Sequence, residues 1–314
     1  MNYKVINFED IEYPESLRMI ENAPKKIYAM GNINLLKDEN ISVVGTRRIS
    51  DYGKRYGKEI CKDLVLRDIP IVSGLAIGTD TLAHETALRY GGKTIAVLPS
   101  GFENIFPQKN EKLAKEIVEK GGLLVSEYSP ETVADSNKFL ERNRIVAGLG
   151  IALVVIEALK ISGTSVTARI AKSQGKKVFA LPGSLDSKYS VGTNNLIKNG
   201  ANLITSAVDI VKSYPQFDNR KLKTEASQNI KEEYKKIFFN IFSDKYLSLE
   251  EIIKKTGMPT REVITKLTLM ELEEIVEQEI GKGYRRKIWV IFIKLEIMEK
   301  ILQYNIWKIE ITIF

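Results

Sequence analysis

Six short apolar runs between residues 40 and 213 constrain this chain more than anything else in it. They are ISVVG (41–45), PIVSG (70–74), KTIAVLPSG (93–101), GLLVSEY (122–128), IALVVIEA (151–158) and KKVFALPG (176–183). Each is short, rich in β-branched residues and apolar without alternation. That is the pattern of a strand buried on both faces, and both-face burial is characteristic of parallel sheets. The stretches between them, such as YGKRYGKEICKDLVLRD and NEKLAKEIVEKG, carry apolar residues at helical spacing and end near Gly or Asp. Strand and helix in strict alternation predict an α/β fold: a doubly wound, mostly parallel sheet with right-handed crossovers.

The flanks read differently. Residues 1–39 form a lead-in with a proline turn, YPESL, and the segment APKKIYAMGNINLL. Residues 214–228 are polar without apolar periodicity and read as a linker. Residues 229–287 have the pattern of a small winged-helix-like domain. Ser248 with Glu251 three residues later is a capping box, Thr260 after the turn TGMP is placed as an N-cap, and Gly281 and Gly283 sit near a hairpin turn. Residues 288–314 are atypical. Nine of these 27 residues are Ile, and they hold both Trp of the chain, Trp289 and Trp307, with neither helical nor strand periodicity. So much apolar surface without a core to enter reads as adventitious sequence rather than as a domain, with a partner-binding tail as the second reading.

Composition removes several chemistries. One cysteine, Cys61, forms no internal disulfide, and one cysteine with one histidine falls short of the roughly four N/S ligands of a structural zinc. Any Ser-His-Asp or Cys-His machinery must use His84, which lies in the helical segment DTLAHETAL and reads as a packing or hydrogen-bonding residue. No cofactor or metal is expected. No 18-residue apolar run and no basic-then-apolar leader occur, so the expectation is a cytoplasmic protein without a membrane span. The formal charge of +7 points weakly to a polyanionic partner.

In parallel sheets, ligands bind outside the carboxyl ends of the strands. Here those ends carry Gly45-Thr46-Arg47-Arg48, Ser73-Gly74, Pro99-Ser100-Gly101, Ser126-Glu127 and Pro182-Gly183. Glycine lets backbone N–H groups approach a phosphate, and a following helix N-terminus adds partial positive charge. Any one such turn is ordinary loop chemistry. The first, with two arginines beside the glycine, reads as a phosphate site. Ser162-Gly163-Thr164 follows the fifth run and opens a helix, so it reads as an anion site or a plain cap. The segment Lys138-Phe139-Leu140-Glu141-Arg142-Asn143-Arg144 packs three cations and an aromatic into seven residues, enough to track phosphates and stack a base, or simply a solvated helix face with Phe139 in the core. Nucleotide fingerprints are missing. GTRRIS does not supply G-x-G-x-x-G, and GGKT (91–94) precedes a strand where a P-loop follows one.

The phrases VVGTRRISDYG, IVSGLAIGTDTLAHETAL, GGKTIAVLPSGFENIFPQKN, GGLLVSEYSP, KFLERNRIVAGL, VVIEALKISGTSVTARIA and FALPGSLDSKYSVGTNNLIKNGA, in this order, resemble the bacterial DNA processing protein A family (DprA, also called Smf) from about residue 8 to 287. The resemblance implies a Rossmann-like domain that binds single-stranded DNA, dimerises and hands the strand to the recombinase RecA in natural transformation, with no enzymatic activity. It puts the phosphate pocket on Gly45, Thr46 and Arg47, the strand-binding surface beside Phe139, Arg142, Asn143 and Arg144, and a DNA contact on Lys138. The chain departs from the pattern in having Ile77 where a cation is usual, Glu274 where a glycine is usual, and no helical domain ahead of YPESL. A second reading comes from another class. Rossmann-like phosphoribohydrolases acting on nucleotides join a phosphate cradle to a carboxylate, for which Glu127 and Glu157 stand at strand ends. Their P-G-G-x-G-T turn is represented here only by Ile161-Ser162-Gly163-Thr164.

Overall fold

A computed structural model of the chain describes residues 2–218, 241–242, 245–272, 276–279 and 281–286. It divides into two compact units, Met1–Leu222 and Lys223–Phe314.

All six apolar runs of the first unit are strands. They are β3 (Asn40–Val44), β4 (Ile71–Ser73), β5 (Thr94–Leu98), β6 (Leu123–Ser126), β7 (Gly150–Val155) and β8 (Lys177–Ala180). Among themselves they pair in parallel, and a two-residue strand, β9 (Asn202–Leu203), adds in parallel to β8 at one edge. The reason for the unbroken apolar runs is visible in the core. Ile41, Val43, Ile71, Val154 and Phe179 pack on one face, and Val44, Val72, Ile95, Val97 and Val155 on the other. Fully burying one such side chain stabilises by about 1.5–3 kcal/mol, so a charge at any of these positions is excluded. The helices that cover the faces include α2 (Asp51–Leu66), α3 (Thr79–Arg89), α4 (Glu111–Glu119), α5 (Ser136–Leu149), α6 (Gly163–Ser173) and α7 (Val191–Lys198).

The lead-in is part of this sheet. Strand β1 (Lys4–Asn7) pairs antiparallel with β2 (Lys26–Gly31), and β2 pairs antiparallel with β6, giving the order β1-β2-β6-β5-β4-β3-β7-β8-β9. The cause is the run Ile27-Tyr28-Ala29-Met30, all four buried, a run of only four apolar residues that follows Pro24 and two lysines. His84 is fully buried, and its Nδ1 lies 2.7 Å from Thr94 Oγ1. Because that hydroxyl donates to Ile71 O, it accepts from His84, fixing the Nδ1–H tautomer. Burial drives the imidazole pKa down to about 3, so it stays neutral.

The second unit contains a helix (Leu249–Thr256) with the reciprocal Ser248–Glu251 capping box and Gly257 in the left-handed conformation at its end. The next helix (Thr260–Leu272) begins at Thr260 itself. The cap position falls on Pro259, whose carbonyl accepts from Glu262 and Val263 N–H. Strands Val276–Glu279 and Gly283–Arg286 form the antiparallel hairpin, and Gly281 and Gly283 both have positive φ. The linker beyond residue 218, Glu274 and the 288–314 tail lie outside the described residues.

Candidate nucleic-acid interface

Strand order reverses between β3 and β7: the chain leaves β3 for β4 on one side and β7 for β8 on the other. The loops after these two strands therefore diverge and leave a crevice at the sheet's carboxyl edge, where open α/β folds bind ligands. A cleft of about 810 Å³ lies there. One wall is the Gly45–Arg48 turn, the second is the start of α6 at Ser162–Thr164, and the third is the α5 face bearing Phe139, Arg142 and Asn143.

The first turn is built tightly. Thr46 donates its N–H to Glu157 O, accepts from Thr79 through its carbonyl, and caps Arg48 N–H with its hydroxyl. Gly45 is required because a Cβ would stand 2.4 Å from Thr79 Oγ1. With the backbone held, Arg47 and Arg48 project outward and exposed. The Arg47 guanidinium lies 5.1 Å from the Phe139 ring centroid. Neither arginine has a side-chain hydrogen bond or ion pair among the described residues.

Opposite, Ser162 caps α6 by accepting from Ser165 N–H, and Thr164 Oγ1 donates to Gly45 O at 2.9 Å, locking the two walls together. A helix leaves its first N–H groups without intrahelical partners and carries partial positive charge there. The cleft therefore presents two unpaired guanidiniums, a helix N-terminus and an aromatic ring. That combination is suited to phosphate and an unstacked base.

The family model described as DNA recombination-mediator protein A matches residues 4–215. The chain belongs to the DNA recombination-mediator protein A family. It is 34% identical over 292 residues to protein Smf of Escherichia coli K12, covering 91% of this chain and 78% of that protein. It is 39% identical over 206 residues to DNA processing protein DprA of Bacillus subtilis, covering 65% and 69%. Among solved structures it is similar to DNA processing protein A from Streptococcus pneumoniae, with a TM-score of 0.64 and 38% identity over 68% of this chain and 74% of the other. It is also similar to that from Helicobacter pylori, a structure described for its single-stranded DNA binding mode, with a TM-score of 0.62 and 32% identity over 69% and 97%. The DprA/Smf family is a DNA-processing, recombination-mediator family, and the sheet is the Rossmann-like fold of its solved members.

Not every residue singled out from sequence reaches the cleft of this family member. Gly45, Thr46, Arg47, Arg48, Phe139, Asn143, Ser162, Gly163 and Thr164 line it. Arg142 lines it too, but from below. It is 4% exposed and its Nη1 donates to Gly74 O and Val97 O, so it is not a free cation tracking phosphates. Burial lowers its pKa to about 10, offset in part by Asp80, itself buried and pushed upward by desolvation. Ser73 is fully buried with its hydroxyl on Val43 O, and Gly74 is a glycine because a Cβ would strike the Arg142 guanidinium. Both serve packing beneath the cleft.

Arg144 turns away from the cleft. It grips Glu127 through two bonds of 2.9 and 2.7 Å and donates to Asn22 O. Lys138 turns back onto Asp135 and lies 5.8 Å from the Tyr128 ring. The helical period explains the departure of Arg144, which falls on a different face from 139, 142 and 143, whereas Lys138, one turn before Arg142, is drawn aside by its pairing with Asp135.

Sequence reasoning missed Phe106, Asp135, Leu159, Ile161 and Tyr189 on the cleft wall. Phe106 is 47% exposed and meets Phe139 edge-on, centroids 5.5 Å apart. The two carboxylates of the hydrolase reading are both occupied: Glu127 by Arg144, and Glu157, 1% exposed, by Ser50 N–H and Oγ. Among the described residues, no group of three or more His, Cys, Asp or Glu could hold a metal, and no helix is long and apolar enough to cross a membrane.

Proposed function

We propose that the chain binds single-stranded DNA in this cleft, largely without regard to sequence, and acts as a non-enzymatic mediator that passes the strand to the recombinase RecA during DNA uptake and recombination. The observation that carries the reading is the juxtaposition of the unpaired Arg47 and Arg48 with Phe139 and the α6 N-terminus at the switch point of the sheet. Guanidinium groups hold phosphate through parallel hydrogen bonds. Aromatic faces stack any base, and a strand whose bases are already unstacked supplies them without melting a duplex. The single-stranded DNA binding described for the Helicobacter pylori relative and the mediator description of the family support it. The family resemblance also supports a homodimer and a cytoplasmic setting.

The phosphoribohydrolase alternative is disfavoured because both strand-end carboxylates it would use, Glu127 and Glu157, are engaged. Incubation with nucleoside monophosphates is expected to release no ribose phosphate, and release would restore that reading. The direct test is fluorescence anisotropy on single- and double-stranded oligonucleotides across salt. Single strands are expected to win, with log K falling by about 0.7 per log unit of salt for each phosphate neutralised. A flat salt response or a preference for duplex overturns the proposal. Transfer to RecA is tested by filament assembly on protein-coated single strands, which the chain is expected to accelerate.

A further inference from the structure

A second, smaller pocket of about 260 Å³ lies next to the cleft, beyond Phe106. Phe106 and Ala134 belong to the walls of both, so the two spaces adjoin at the Phe106 ring and Ala134. The chemistry changes across that ring. On the cleft side stand Arg47 and Arg48. The small pocket has an apolar base of Phe102 and Ile105, exposed Val133 at its edge, and a rim of Glu103, Asn104, Gln108 and Glu111 without a cation in its lining. Asn104 donates its amide N–H to Glu131 O, which leaves its side-chain carbonyl to accept. Glu103 and Gln108 have no side-chain partner among the described residues.

Glu103 carries a carboxylate without a partner among the described residues, Glu111 is paired with Lys115, and the lining has no cation, so the pocket disfavours the sugar-phosphate chain. Its volume falls just below the roughly 300 Å³ at which sites for drug-sized ligands begin. The occupant is therefore small, flat, apolar on its faces and rich in donors at its edge.

We infer that this pocket receives one nucleobase bearing an exocyclic amino group, swung out past Phe106 from a strand held in the cleft. The inference rests on the proposed strand-binding role of the cleft and adds a composition preference to it. Cytosine and adenine present an amino donor where thymine presents a carbonyl acceptor and a methyl group. The rim of Glu103, Asn104 and Gln108 is rich in acceptors: Glu103 only accepts, while the Asn104 and Gln108 amides both accept and donate. Amino-bearing bases are favoured, and the phosphates stay with the arginines.

The test uses the full chain and labelled oligonucleotides of equal length and single base type. Oligo-dC and oligo-dU differ on one edge of the ring, an amino group beside an acceptor N3 in cytosine against a carbonyl beside an N3–H in uracil. The parent protein is expected to bind oligo-dC roughly threefold to tenfold more tightly than oligo-dU, and Phe106→Ala to bring the two to the same, lower affinity. That loss should be about fivefold to tenfold on oligo-dC, the low end of a base–aromatic stack. The exposed position of Phe106 leaves the melting curve in place. Equal affinities in the parent, or a preference that survives Phe106→Ala, overturns the pocket assignment. Arg47→Ala, run alongside, reports on the cleft alone. It is expected to weaken both oligonucleotides by the same factor, and no loss there overturns the cleft reading instead.

Discussion

The loop at Gly45–Arg48 and the helical segment Lys138–Arg144 carry nearly the same density of cations, yet the structure uses them in opposite ways. On the loop, both guanidiniums stand exposed and unpaired. On the helix, each cation is already held: Lys138 by Asp135, Arg142 by the carbonyls of Gly74 and Val97, and Arg144 by Glu127 and Asn22. The difference comes from what each backbone can reach. A turn at the sheet edge has only solvent ahead of its side chains. Helix α5 lies across β3, β4, β5 and β7, so a long side chain on its inner face meets strand-end carbonyls that need donors. Basic residues near a polyanion site are therefore of two kinds, those that bind the ligand and those that build the surface it binds to.

That contrast is broken most sharply at Arg142. Replacing it by Ala leaves Gly74 O and Val97 O without their donor and takes a favourable charge away from the buried Asp80 carboxyl. Each buried acceptor left unsatisfied costs about 1–3 kcal/mol. We expect Arg142→Ala to lose stability on that scale in chemical denaturation, with any loss of DNA binding tracking the loss of folded protein. A variant that melts like the parent yet fails to bind would make Arg142 a ligand residue and dissolve the distinction.

Arg47→Ala is the converse experiment. Its side chain is exposed, lies over the Phe139 ring and makes no hydrogen bond or ion pair among the described residues, so the melting curve should not move. Affinity for single-stranded DNA should fall by roughly 1.5–3 kcal/mol, the range of a hydrogen bond to a charged group. Arg47→Lys should recover only part, because an ammonium does not present the two parallel donors of a guanidinium. Unchanged affinity in Arg47→Ala would mean that the exposed turn is structural.

How much of this was legible in sequence follows the same division. The parallel sheet was readable because burial on both faces leaves an unbroken apolar run, and all six runs became strands. The phosphate turn was readable because glycine and two arginines fall at a strand end. The fates of Lys138, Arg142 and Arg144 were not readable. Which of them faces the sheet depends on the angle at which α5 settles, and the partners of Arg142 and Arg144, Gly74, Val97, Glu127 and Asn22, are 17 to 122 residues distant. Strand β2 was hidden for a related reason, since its parallel-looking run pairs antiparallel with a strand almost a hundred residues away.

Arg144 occupies the middle of the comparison. Its two bonds to Glu127 are partly shielded, with the side chains 17% and 24% exposed, and its third arm ties the α5 face to Asn22. Arg144→Ala should cost about 1 kcal/mol of stability, the upper end for accessible ion pairs. DNA affinity of the folded variant should stay within about twofold of the parent, since the Arg144 guanidinium is turned away from the cleft onto Glu127 and Asn22. A tenfold loss of affinity with normal stability would return Arg144 to the binding surface, where the family resemblance puts it.

The smallest effect, and the only one expected to increase affinity, concerns Asp135. This residue caps α5 by accepting from Asn137 and Lys138 N–H, and its carboxylate also holds the Lys138 ammonium. It lines the cleft, so a negative charge stands where phosphates are to bind. The Lys138 pairing and the capping N–H groups hold its carboxyl below the usual range, so it stays ionised throughout the neutral region. Asn caps helices about as well as Asp. Asp135→Asn should therefore preserve the start of α5 and the melting curve. It removes the repelling charge and releases Lys138 towards the strand. Affinity for single-stranded DNA should rise by about twofold to threefold at low salt. The salt slope should steepen by about 0.7, the increment for one more neutralised phosphate. In the double variant with Lys138→Ala that extra slope should disappear. A gain in affinity with no change in slope would mean that only repulsion had been relieved and that Lys138 belongs to the structural cations after all.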